Sequence, residues 1–180
     1  MNRSATLCFD ELLPSGERAA TARTLRSSGA EVTSWNDAAG RTYAHVVFAS
    51  DARFGSDPPS FARVHTPPLF IARVTPVLST RLGALEEALC GSGRPAGILA
   101  GRPELGSLVI ELDTTRTPLA LLLALVDLEA GPGFGRRIEP LLPVDDAMLA
   151  ALCASLLAEP ELDTSRLIET YIEPMLDVCR

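Results

Sequence analysis

The chain has 180 residues, 47% of them hydrophobic, and a formal net charge of −7 at pH 7; this argues against general disorder and fits one good core plus an extension. All 16 basic residues are arginine, and lysine and glutamine are absent, so a Walker A loop and a Schiff-base lysine are excluded while bidentate arginine contacts to carboxylate or phosphate remain available. Residues 1–137 hold 14 arginines and 14 acids, residues 138–180 two and nine, and so acidic a segment repels phosphate backbones and makes nucleic acid a poor partner.

Arginine-for-lysine replacement under a GC-rich codon bias is the expected explanation of the basic composition, ahead of a functional one, since nothing in the physics of a fold demands it. The first eight residues lack an apolar run of signal-peptide length and no later run reaches bilayer length, so a cytoplasmic location without membrane association is expected. Cys8, Cys90, Cys153 and Cys179 are far apart and form no CxxC pair, which predicts reduced thiols.

Residues 6–12 read as a strand with Leu7 and Phe9 on one face and Cys8 and Asp10 on the other. Ser15 is the expected N-cap of a helix over residues 16–27, with Ala19, Ala22 and Leu25 as its apolar stripe and Gly29 as its stop. Strands at 31–35 and 42–49 lie either side of the five-residue connection Asn36 to Gly40, and a breaker-rich loop occupies residues 50–68. The pattern then recurs. A strand at 70–77 leads to a helix capped by Ser79, with Leu82, Leu85 and Leu89 on one face; a short strand at 97–100, a turn at 101–106 and a strand at 108–112 follow. Ser15 and Ser79, Leu25 and Leu89, and Gly29 and Gly93 are each 64 positions apart, so residues 5–49 and 69–113 read as a topological repeat.

Thr117 and Pro118 open a helix whose residues 119–126 leave no polar face, predicting full burial, with Gly131 as its stop. The last third reads as helical. Asp145 caps a helix over 146–158, Pro160 ends it, and Asp163 caps a second, with Pro174 as its kink or end. The expected fold class is therefore α+β: an antiparallel or mixed sheet from two strand-helix-strand-strand units in a domain of residues 1–137, and an acidic C-terminal helical hairpin at 138–180 packing on it.

If one sheet holds all the strands, alternation puts Ala44, Val46 and Phe48 on its apolar side and Arg41, Tyr43 and His45 on the other, together with Arg73 and Glu111. Such a floor is either a solvated sheet face or a groove in which arginine holds an anion beside an aromatic wall. Gly133, Gly135, Arg136 and Arg137 could form an anion-binding loop, but the stretch follows a helix and opens none, so a C-cap and connection is the better reading. The only histidines, His45 and His65, lie in no HxH or HExxH pattern, and no metal or other cofactor is expected. Cys8 and Cys90 lack a nucleophile context.

The leading expectation is a non-enzymatic interaction protein, an adaptor or accessory subunit using its acidic helical tail and strand edges, with a homodimer favoured over a monomer. A small-molecule-binding domain with a pocket on the polar sheet face comes second, and an enzyme of unknown class third.

Overall fold

Ala5, Leu7 and Phe9 fall on one face of the first strand, and that alternation starts the core of the first of two units. The structure is a computed structural model that describes residues 3–48, 62–118, 121–122, 125–126, 138–144, 146, 148–150 and 154. The chain divides into Met1–Leu69 and Phe70–Arg180.

In the first unit β1 (Arg3–Phe9), α1 (Ser15–Ser27), β2 (Ala30–Ala38), β3 (Arg41–Phe48) and β4 (Ala62–His65) follow in order. The strands form an antiparallel sheet in the order β2-β3-β1-β4. Because β3 lies between β1 and β2, this is a split β-α-β arrangement. Ala44, Val46 and Phe48 meet Ala5, Leu7 and Phe9 on one face, and Leu13, Leu25 and Ala30 complete a buried cluster.

Three details differ from the sequence reading. Thr21 and Leu25 form the buried side of α1 while Ala19 is exposed, and Arg18, one turn before Thr21, lays its guanidinium 5.7 Å from the centre of the Trp35 ring. The expected five-residue connection shrinks to Ala39 and Gly40, since pairing continues through Asp37–Thr42 and Ala38–Arg41. Both turn residues have positive φ, 48° and 75°, the type I′ geometry whose twist matches a two-residue hairpin. Finally, part of the expected loop is β4, four residues paired with β1; a run this short offers little alternation to read.

The second unit contains β5 (Phe70–Val74), a single 3-10 turn (Ser79–Arg81), α2 (Leu82–Cys90), β6 (Ile98–Glu104), β7 (Ser107–Leu112) and β8 (Ile138–Pro140). Its antiparallel order is β6-β7-β5-β8, the same order as in the first unit. Residues 121–122 and 125–126 are helical and lie between β7 and β8 in the chain, which makes the second unit a β-α-β-β-α-β, ferredoxin-like succession. Each second strand carries one register shift, between Val32 and Ser34 and between Ile98 and Ala100, and the first pairs beyond it are Ser34–His45 and Ala100–Glu111. His45 and Glu111 thus occupy the same position in the two sheets.

Leu85 and Leu89 of α2 pack with Phe70, Ala72, Leu108, Ile110 and Leu112 in a second cluster, joined by Leu122, Val126, Ile138 and Met148. The helix after Thr117 is not apolar-buried throughout: Leu122 and Val126 are buried, but Leu121 is 51% exposed. The strand β6 runs through Arg102 and Pro103, where glycine and proline had suggested a turn. Pro103 is tolerated because β6 is an edge strand. The segment read as a helical extension opens instead with β8, which pairs Ala72 with Pro140 and Val74 with Ile138. Of the expected helical hairpin, residues 146, 148–150 and 154 are helical, and residues 155–180 lie outside the described residues. The architecture is therefore two antiparallel four-stranded sheets with helices, a mixed α+β fold rather than one continuous sheet. No helix among the described residues is long and apolar enough to cross a membrane.

Candidate functional site

The five residues expected on one polar face belong to two sheets. Arg41, Tyr43 and His45 lie on β3 of the first; Arg73 and Glu111 lie on β5 and β7 of the second. The face that carries Tyr43 is not a solvated floor along its central strands, where Thr6, Cys8 and Tyr43 are fully buried and His45 is 6% exposed. Register places His45, Thr6 and His65 in one row across β3, β1 and β4, and Tyr43, Cys8 and Arg63 in the next. Both histidines thus flank one threonine. Thr33 Oγ1 lies 2.7 Å from His45 Nδ1, and Thr6 Oγ1 accepts from the Leu69 N–H at 3.0 Å. Arg41 is held by Asp10 at 2.7 Å, with Arg63 approaching the same oxygen at 3.6 Å.

In the second sheet Glu111 is 1% exposed. Arg73 donates from Nε to Glu104 and from Nη1 to Glu139, each at 2.7 Å, and so ties β5 to β6 and β8. These bonds from Glu104 and Glu139 push its guanidinium further above its ordinary value, against the opposing effect of burial. Arg41 and Arg73, the arginines expected to hold an anion, are each already paired with a carboxylate of the chain. The glycine–arginine loop of Gly133, Gly135, Arg136 and Arg137 lies outside the described residues.

A different pair of arginines lines open space. Two loops meet at one end of the second sheet: residues 91–97, between α2 and β6, and residues 113–117, after β7. They are tied where Asp113 N–H donates to the Gly97 carbonyl and Gly97 N–H donates to Thr117 Oγ1, both at 2.8 Å. Gly97 is required there, because a Cβ would run into the Asp113 carbonyl and Thr117. Between the loops is a shallow, open cleft of about 580 Å³, lined by Gly91, Ser92, Arg94, Ile98, Leu99 and Arg116. Its volume is within the ordinary range for small-molecule sites. Among the described residues neither Arg94 nor Arg116 forms an ion pair. Arg94 donates to the Cys90 carbonyl at 3.4 Å, at the C-terminal end of α2.

Cys90 forms part of the cleft wall over Gly101, where any Cβ would overlap its Sγ. Burial first, and the Glu86 charge second, push its thiol up, with Arg94 opposing. The sulfur is therefore protonated at neutral pH and a poor nucleophile. Among the described residues no three His, Cys, Asp or Glu side chains are placed to hold a metal ion.

The opposite end of the second sheet carries exposed apolar side chains. Val74 pairs with Leu108, so the loop after β5 and the β6–β7 turn share one end; there Val77 and Leu78 are about half exposed and Leu105 is fully exposed. Sequence reasoning passed over Arg94 and Arg116 because each sits alone in a loop. The available signal was the breaker-rich stretch Gly91, Gly93 and Pro95 facing the polar stretch Thr114 to Arg116. Comparison with protein-family models, curated proteins and solved structures finds no match to this chain.

Proposed function

We propose that the chain is a non-enzymatic interaction protein, an accessory subunit that associates through the apolar end of its second unit. The observation that supports this reading is that Val77, Leu78 and Leu105, three exposed apolar side chains, lie in two loops at the same end of a sheet. Scattered apolar residues need no explanation, but clustered ones mark contact surfaces. Leu105 stands out because a hairpin tip ordinarily carries polar turn residues. The acidic segment 138–180, with nine acids and two arginines, supplies charge that selects an arginine-rich counterpart and disfavours acidic ones. The counterpart proposed first is a second copy of the chain, whose residues 1–137 balance 14 arginines with 14 acids and so carry no net charge to repel the segment.

Sedimentation across a concentration series tests the reading. The wild-type chain is expected to show a concentration-dependent dimer, and the double variant Leu78→Glu, Leu105→Glu to remain monomeric with unchanged circular dichroism. A wild-type chain that is monomeric throughout removes self-association, and a variant that still dimerises moves the contact away from this end.

A further inference from the structure

We propose that the cleft between residues 91–97 and 113–117 of the second unit is an oxyanion-binding site, with Arg116 as its principal ligand and Arg94 as its second. The proposal does not depend on the self-association described above. Its starting point is a contrast between arginines. Arg41 and Arg73 point their charge at carboxylates of the chain, Asp10 in one case and Glu104 with Glu139 in the other. Arg94 and Arg116 make no ion pair among the described residues and line the same cleft of about 580 Å³. A guanidinium offers a planar fork of donors that matches carboxylate and phosphate oxygens, so two of them beside the Ser92 hydroxyl form a recognisable anion cradle.

The wall opposite is partly negative. The carbonyl end of α2 terminates at Cys90, and Glu86 acts on the Cys90 thiol. Arg94 offsets that end through its hydrogen bond to the Cys90 carbonyl. Arg116 has no such partner among the described residues, which assigns it the larger share of binding. Leu99, partly exposed in the lining, offers an apolar contact for the carbon skeleton of the ligand. The ligand class is a small organic molecule bearing a phosphate monoester or a carboxylate, sized for a cleft rather than a channel.

Thermal shift and titration calorimetry on the full chain test this, with inorganic phosphate and citrate as probes and chloride at matched ionic strength as the reference. A saturable stabilisation by one or both probes is expected. Arg116→Ala should weaken it by about tenfold or more, and the double variant Arg94→Ala, Arg116→Ala should abolish it. The exposed Arg23→Ala on α1 should leave it unchanged. Response to phosphate alone identifies a phosphate-bearing ligand, and response to citrate alone a carboxylate. No saturable response to either probe overturns the proposal, as does an equal response in wild type and the double variant, which would report general ionic screening.

Discussion

Arg18 shows how one exposed-looking residue organises its surroundings. Its Nε donates to the Leu13 carbonyl at 2.8 Å, its Nη2 donates to Asp37 Oδ1 at 2.7 Å, and its plane covers Trp35. Burial works to raise the Asp37 carboxyl, but hydrogen bonds from Arg18 and Thr42 and the Arg18 charge together hold it below the ordinary carboxylate range. A carboxyl depressed in this way stabilises the fold above its unfolded pKa and loses that contribution as pH falls through the lower folded value. Asp37→Asn is therefore expected to cost under about 1 kcal/mol at neutral pH, because the pair is partly solvated. The gap between variant and wild type should close below the usual carboxylate range. Urea unfolding at neutral and strongly acidic pH measures both, and a gap that widens in acid contradicts the assignment. Arg18→Ala should cost more, about 1–2 kcal/mol, since it also removes the contact with Trp35 and the bond to Leu13.

At the scale of elements, the β2–β3 hairpin holds a conformational cost. Ala39 sits at φ 48°, a region open to glycine and tolerated by asparagine but strained for alanine. Ala39→Gly or Ala39→Asn should raise stability by roughly 0.5–1 kcal/mol, and an unchanged or lower unfolding midpoint would show that the turn relaxes. The helix after Thr117 offers a paired test. Leu122→Asp places an unpaired carboxylate in the second core and is expected to abolish soluble folding, whereas Leu121→Asp, half exposed one position away, should change stability by no more than about 0.5 kcal/mol. Soluble expression and thermal unfolding of the two variants separate them.

The same elements show what the sequence made legible. Alternation at Ala44–Phe48 and Leu108–Leu112 reveals strands and their core faces, because period two survives in runs of five residues. It did not reveal β8, three residues long and ending in Pro140, nor the register shifts beside Thr33 and Leu99, which are properties of a pair of strands rather than of one. The arginine cleft was hidden for a related reason. Arg94 and Arg116 are 22 positions apart in sequence and meet only because Ile98 pairs with Leu112.

On the scale of the whole molecule, two sheets with one strand order each possess their own apolar cluster. Leu7→Ala and Ile110→Ala, one in each, should each cost about 2–5 kcal/mol, with amide exchange accelerating most in the sheet that carries the substitution. Equal acceleration in both sheets would mean that they open as one cooperative block. Two sheets so alike also present a hazard during synthesis, since a strand of one could be captured by the other. The placement of β4 bears on that hazard. It ends at His65, and the last strand of the second sheet, β8, ends at Pro140, so 75 residues separate the completion of the two sheets. At ribosomal speed those residues take roughly 4–15 s, ample for a small mixed domain that folds within milliseconds to seconds. The first sheet therefore has time to close before the second can be completed, and the order of translation does the sorting that a shared strand order would otherwise leave to chance.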